Sequence, residues 1–272
     1  MAHSASRQRL LNFDVAELPH DVNGIADGHL YPVFLQTRDM HAYMSLRSGK
    51  EGVWSGRTHI LASLDEHKVF FELEANPYVL SIREGYPLAP PDVKEDLLEG
   101  KVVARNRVMT VDFILTLPPK KFGGALRYHG VYRKPGSLSS TPAGRRRMAK
   151  EERALAELGW TWSSVKVPSD TRVAGLWKLR EWAKAGPIDN AARDAAELAT
   201  LLYKTGSTKE LDRLLRMLGK RLGIVPADQY FVFAAAFYFG YVSVEKEAVL
   251  DEGYPLVLAP PARRPFGVSK HG

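Results

Sequence analysis

The run RVMTVDFILTL, residues 107–117, constrains this chain more than any other, because it sets one acid inside a segment built for burial. β-Branched, aromatic and aliphatic residues dominate it and Pro118 and Pro119 end it, so it reads as a strand within a sheet. A carboxylate buried there without a partner costs several kcal/mol, roughly the effective penalty for one buried ion. Asp112 therefore needs compensation. A divalent cation supplies it directly; the alternatives are a strand edge facing solvent, or an arginine partner such as Arg83.

The flanking pattern predicts the elements that would surround this strand. Ser55 and Gly56 form a turn before a helix expected from near Arg57 to about Ala75, where Asn76 and Pro77 stop it. In YVLSIREGYPL, Val79, Ser81 and Arg83 alternate with Leu80, Ile82 and Glu84 as in a strand. After residues 107–117, a turn over residues 120–124 leads to a second strand, ALRYHGVYRK, closed by Pro135 and Gly136. Thr141 and Pro142 supply an N-cap and a helix-initiating proline for a helix ending at Gly159, and WTWSSVKV is a last strand. The expected class is α/β, a mixed sheet flanked by helices over residues 51–168, with residues 1–50 as a lead-in arm.

Beyond Pro168 the pattern turns helical. Asp170 can cap a helix through Trp177 and Trp182, and a second helix lies in NAARDAAELATLLYK. Ser207 and Glu210 form a capping box ahead of a stripe of Leu211, Leu214, Leu215, Leu218 and Leu222. DQYFVFAAAFYF is too apolar for an exposed helix and is expected at the centre of this domain. YVSVEKEAVLDEGYPLVL reads as a hairpin, which gives residues 169–258 a winged-helix-like outline. Residues 259–272, Pro- and Arg-rich, are expected as a disordered basic tail.

Composition narrows the function classes. The chain has 272 residues, no cysteine and a net charge of +7, which excludes thiolate metal sites and favours a polyanionic partner. No apolar run approaches the roughly 20 residues that span a bilayer, so no membrane role is expected. The eight histidines lack zinc-ligand spacing, and no phosphate-cradling glycine loop or serine-nucleophile motif is present.

Three other residues join Asp112 as candidates. Lys134 ends the strand that pairs with the 107–117 strand, which puts it at the same end of the hairpin as Asp112. An aspartate on one strand and a lysine at the end of the next is the skeleton of the restriction-endonuclease core, where carboxylates hold Mg²⁺ and the lysine serves the attacking water. On spacing alone, Lys134 reads better as an ordinary surface lysine. Glu66 shares a helical stripe with Ala62, Phe70 and Leu73, which makes it the carboxylate of its helix expected to point toward the sheet, the alternative being a partly exposed helical glutamate. Glu151 lies on the following helix as an outer carboxylate or as half of a surface ion pair. Lys120, Lys121, Arg127, Arg133, Arg145, Arg146, Arg147, Lys150 and Arg153 are expected to cluster around this site as phosphate contacts, or to form a solvated face.

At this point a resemblance emerges. SGRTHILASLDEHKVFFELEANPYVLSIREGYPL resembles the signature of the TnsA endonucleases of heteromeric cut-and-paste transposons, and the likeness runs through MTVDFILTL and RKPGS to Thr161 and Trp162, about residues 51–165. The resemblance implies a Mg²⁺-dependent endonuclease (Mn²⁺ substituting) that cuts the 5′ strands of double-stranded DNA at transposon ends. It implies work beside a TnsB-like transposase and a TnsC-like AAA+ ATPase docked through the C-terminal domain, on the chromosome in the bacterial cytoplasm. The family's catalytic residues fall on Glu66, Asp112 and Lys134, and a supporting acid on Glu151. Where the family commonly has glutamine two residues before the lysine, this chain has Tyr132, which leaves the Arg133 backbone carbonyl to complete a metal shell of Glu66 and Asp112. The competing classes are a non-catalytic adaptor between DNA and the ATPase, favoured by Tyr132, and a stand-alone restriction or repair nuclease.

Overall fold

A computed structural model describes residues 18–262, except 33, 35–47, 90–92, 94, 97–98, 100, 102, 105–106, 122–123, 134–140 and 207–208. It is mixed α/β, with a four-stranded mixed sheet and, among the described residues, six helices and two further strand pairs. The chain divides into two compact units, the first reaching Glu74 and continuing over Tyr78–Val167, the second grouping Ala75–Pro77 with the chain from Pro168 onward.

The first unit begins with an antiparallel pair, β1 (Ser48–Glu51) and β2 (Thr58–Leu61), followed by α1 (Leu64–Glu74). The helix expected from Arg57 thus starts later, because residues 58–61 are strand. Ser63 ends that strand and caps the helix: Glu66 N donates to Ser63 Oγ at 3.2 Å, and Ala62 N donates back to Glu66 Oε2 at 2.7 Å. Ser63 and Glu66 stand three apart as in a capping box, a start signal legible in the sequence.

The sheet consists of β3 (Ser81–Leu88), β4 (Met109–Leu117), β5 (Arg127–Arg133) and β6 (Thr161–Val165), in that order. A tight connection makes β4 and β5 antiparallel, while the crossover through α2 (Pro142–Glu157) makes β5 and β6 parallel. Thr141 caps α2 by accepting from Gly144 N at 3.0 Å, with Pro142 in its first turn. A Cβ on Gly130 of β5 would lie 2.3 Å from Leu155 Cδ1, so only glycine lets α2 close this tightly on the sheet. Leu155 joins Tyr86, Leu88, Val111, Ile114 and Trp160 in one buried cluster, completed by Ile25 and Tyr31. The segment 18–32, expected as part of a lead-in arm, thus contributes Ile25 and Tyr31 to the core of this unit.

In the second unit α3 (Asp170–Ala183), α4 (Ala192–Thr205) and α5 (Leu211–Leu222) surround α6 (Gln229–Tyr238), which buries Val232 through Tyr238 as its composition demands. Ser169, not Asp170, caps α3, accepting from Arg172 N at 3.2 Å. α5 begins at Leu211 rather than after Ser207, which lies outside the described residues. The hairpin-side chain takes its first donors: Leu211 N bonds to Tyr254 O at 2.9 Å and Asp212 N to Glu252 O at 3.0 Å. β7 (Ser243–Val244) and β8 (Leu258–Ala259) pair antiparallel, so Ala259 belongs to this unit; residues 263–272 of the expected tail are outside the described residues. No helix among the described residues is long and apolar enough to cross a membrane.

Candidate functional site

Charge gathers at two places in the first unit, fully buried at the first and half-buried at Asp112 and Glu66 of the second, and they must be separated before a site is assigned. The first is built on Arg83 and Glu84 of β3. Arg83 is fully buried, donates to Asp21 Oδ2 at 2.5 Å, lies 3.6 Å from Asp27 Oδ1, and stacks among the rings of Tyr86, Tyr128 and Trp160. Tyr86 Oη also donates to Asp21 Oδ2, and Thr116 Oγ1 donates to Asp27 Oδ2. On the neighbouring residue, Arg57 grips Glu84 with two bonds of 2.9 and 2.6 Å, His59 Nδ1 lies 3.0 Å away, and Ile60 N donates at 3.0 Å. Burial pushes the Glu84 carboxyl up, but His59 and Arg57 more than reverse it and hold it at about 2. Arg83 is thus committed to Asp21 and Asp27, not to Asp112.

The second place is Asp112. β3 and β4 pair residue by residue from Ser81 opposite Thr116 to Leu88 opposite Met109, except at Gly85, which falls opposite Asp112. Gly85 has φ of 57°, a left-handed conformation that breaks the ladder at that point and that only glycine adopts without strain. On the other side the β4–β5 ladder stops at Phe113 opposite Val131. Asp112 therefore occupies a gap in the sheet's pairing on both sides. Its Oδ2 accepts from Arg133 N at 2.8 Å, the one hydrogen bond it makes among the described residues. Burial raises its carboxyl above the ordinary aspartate range, against the opposing pull of Arg133 and Arg147.

Glu66 arrives at the same place through its cap. The bond from Ala62 N turns the carboxylate back over the first turn of α1. Burial raises its pKa and the charge of Asp112 raises it further, while Ala62 N, Arg133 and Ser63 lower it. Arg133 joins Asp112 to the first turn of α1. Its backbone N–H holds Asp112, and its guanidinium reaches Ser63 Oγ and Asp65 Oδ2, both at 3.1 Å.

Glu151, fully buried on α2, is the third carboxyl, and burial and Asp112 both raise it. Arg147 Nε donates to its Oε1 at 3.0 Å. Its Oε2 faces the Trp162 indole, close enough to be eased downward but short of a hydrogen bond. Tyr132 is turned away into a layer, stacked on Trp162 at 6.4 Å with the Arg147 guanidinium 5.9 Å above its ring.

The sequence-derived set thus falls into groups. Glu66, Asp112, Arg133 and Glu151 come together, joined by Tyr132 and Arg147. Lys134 lies outside the described residues, one position past the end of β5. Lys120, Lys121 and Arg127 do not cluster there: the antiparallel hairpin carries them to its turn, about 17 Å of strand from Asp112 at roughly 3.4 Å per residue. Arg127 Nε instead bonds Pro118 O at 2.8 Å across that turn. Arg145, Arg146, Lys150 and Arg153 are exposed on α2.

The donor set fits a hard divalent cation in kind, since Glu66 and Asp112 offer carboxylate oxygens whose pKa values are raised, by burial first. Among the described residues no three His, Asp or Glu side chains form a metal-holding group. Sequence reasoning missed Gly85, Asp21, Asp27 and Arg57. Only two signals were available: a glycine inside a strand run marks a backbone irregularity, and the adjacent charges of Arg83 and Glu84 in an apolar strand require partners. No family model matches the chain, and no curated protein matches it.

Proposed function

We propose that the protein is a Mg²⁺-dependent DNA endonuclease of the TnsA type, with a restriction-endonuclease-like first unit and a winged-helix-like second unit. Mn²⁺ substitutes for Mg²⁺. One observation carries the reading: Asp112 and Glu66 converge at a break in the sheet with their charges under-compensated. Asp112 is held by the Arg133 N–H, and Glu66 by the Ala62 N–H and the Ser63 hydroxyl, with no cationic side chain hydrogen-bonded to either among the described residues.

Glu66, Asp112 and the Arg133 carbonyl would hold the cation. When bound, it supplies Lewis-acid charge for the scissile phosphate and acidity for the attacking water. The protein's part is positioning. Arg133 fixes β5 to the first turn of α1, so the two carboxylates cannot drift apart, and Glu151, restrained by Arg147, holds negative charge at Asp112 without contacting the reacting atoms. Lys134, next after Arg133, would meet the phosphate. The substrate is double-stranded DNA at transposon ends, cut on the 5′ strands beside a TnsB-like transposase, with a TnsC-like AAA+ ATPase on the second unit.

The test is nicking of a labelled transposon-end duplex with Mg²⁺ or Mn²⁺, with and without the partner transposase. Asp112→Ala and Lys134→Ala should abolish cutting while the fold melts normally. Undiminished cutting by Asp112→Ala would end the assignment. The lack of a three-residue metal-holding group among the described residues favours the adaptor as a second reading. It predicts no heat of Mn²⁺ binding in calorimetry on the full chain, whereas the nuclease predicts heat that Asp112→Ala removes.

A further inference from the structure

The ion pairs of the first unit differ in how firmly the arginine is held. Arg83 and Asp21 are fully buried together, and Arg57 grips the buried Glu84 with two bonds. Arg147 donates to Glu151, whose carboxyl is enclosed. Arg133 is different. Among the described residues its guanidinium has one carboxylate partner, Asp65, 42% exposed and reached by Nη1 alone at 3.1 Å. An exposed pair joined through one nitrogen is a weak one, because solvent competes for both charges.

The rest of Arg133 is fixed without Asp65. Its backbone N–H donates to Asp112 at 2.8 Å, and Nη1 also donates to Ser63 Oγ at 3.1 Å. Nε is enclosed without a hydrogen bond among the described residues, so Nη1 is the one side-chain nitrogen in use on a group built as a fork of donors. The guanidinium is thus positioned but under-used. Asp65 precedes Glu66 in the first turn of α1, and the Arg133 charge acts on both Glu66 and Asp112. The weak pair therefore lies beside the proposed site.

A strand cut at Glu66 and Asp112 carries a charged phosphate at every nucleotide past this turn. A phosphodiester presents two anionic oxygens that a guanidinium fork can take with two parallel bonds, where Asp65 receives one. We propose that Asp65 stands in for a DNA phosphate in the free protein, and that duplex binding passes the Arg133 guanidinium from Asp65 to the strand while Ser63 keeps it in place. Asp65 is then an internal latch on the cation nearest the site. The choice of DNA as the competing anion rests on the nuclease reading above.

The experiment is a double-mutant cycle on the full-length protein in EDTA, with Asp65→Asn, Arg133→Gln and the two combined, titrated against a fluorescent duplex across a salt series. Arg133→Gln leaves the main-chain bond to Asp112 in place and should lower the slope of log affinity against log salt by about 0.9, for one phosphate fewer. Arg133→Lys should keep the slope, which separates charge from folding. Asp65→Asn should tighten binding about 2–5-fold while Arg133 is present, the range for removing one weak exposed pair, and change nothing in the Arg133→Gln background. Equal tightening in both backgrounds would make Asp65 a bare repulsive charge and overturn the proposal, as would no tightening at all or an unchanged slope in Arg133→Gln. Nuclease failure reads out separately: absent Mn²⁺-dependent cutting with the coupling intact removes the nuclease and keeps the latch. Additive effects beside intact cutting do the reverse, and a wild type that binds no duplex removes both.

Discussion

Two sets of buried charge share the β3–β4 strand pair and are treated in opposite ways. Around Arg83 and Glu84 every charge has an opposite charge against it, and Glu84 is held at about 2. Around Asp112 the carboxyls of Asp112, Glu66 and Glu151 are all pushed up, by burial first. Burial alone therefore does not distinguish the two sets; the direction in which their carboxyls are shifted does. The first cluster is paired charge against charge, and the second is the one the proposed cation would complete. The IREGYPL segment thus builds scaffold, while the proposed site lies on the next strand, opposite its glycine.

The comparison breaks most easily at Arg83. Arg83→Met leaves Asp21 and Asp27 buried against an apolar side chain, and the loss should be about 3–5 kcal/mol, the usual cost of removing one partner of a buried pair. Urea denaturation measures it. A loss under about 1 kcal/mol would mean that the cluster is not saturated by Arg83.

Glu84→Gln comes next. A carboxyl lowered from 4.5 to about 2 is worth about 3 kcal/mol at 1.36 kcal/mol per pKa unit. A depressed pKa contributes stability that is present above the unfolded value and disappears as pH falls through the folded one. The gap in unfolding free energy between wild type and variant should therefore be full at pH 7 and close between about 4.5 and 2. A gap that does not change with pH would assign the loss to packing.

Gly85→Ala tests whether scaffold and site are joined. Forcing an alanine into φ of 57° costs about 1–2 kcal/mol. The strain falls opposite Asp112, so metal-dependent cutting should drop about 10–100-fold, the range for support residues around a metal. A variant with the stability loss and full cutting would show the break at Gly85 to be irrelevant to Asp112.

How much of this was legible follows from what kind of fact each residue carries. Asp112 was conspicuous because one acid in an apolar strand violates a local rule, and Glu66 followed from a local stripe and sits in a local cap. The four strands, the hairpin and α2 were legible because period and turn chemistry act within a few residues. Asp21 and Asp27 were not, since their reason for being buried is an arginine some 60 residues away, and no local pattern encodes that pairing. Lys120, Lys121 and Arg127 were assigned to the site by composition, which ignores the fact that an antiparallel hairpin sends its turn and its ends in opposite directions. The same reasoning placed a helix start at Arg57, where β pairing with residues 48–51 outweighed helical spacing.

The smallest effect on stability decides the comparison from the other side. Asp112 has a raised pKa, so its favourable contribution exists at low pH, while it is protonated, and is lost as pH rises through that raised value. At pH 7 the ionised carboxylate therefore works against the fold. Asp112→Asn keeps an oxygen to accept from Arg133 N–H and removes the charge, so it should stabilise the metal-free protein by on the order of 1 kcal/mol, as replacement of a functional charge commonly does. The gain should shrink as pH falls, because wild-type Asp112 becomes neutral too. It should also shrink when Mn²⁺ is added, because the cation stabilises the wild type alone. Thermal melts of both proteins at two pH values, with and without Mn²⁺, resolve all three terms. If Asp112→Asn is instead destabilising by the several kcal/mol expected for Arg83→Met, then Asp112 is scaffold like the residues across the sheet, and the distinction between the two clusters collapses.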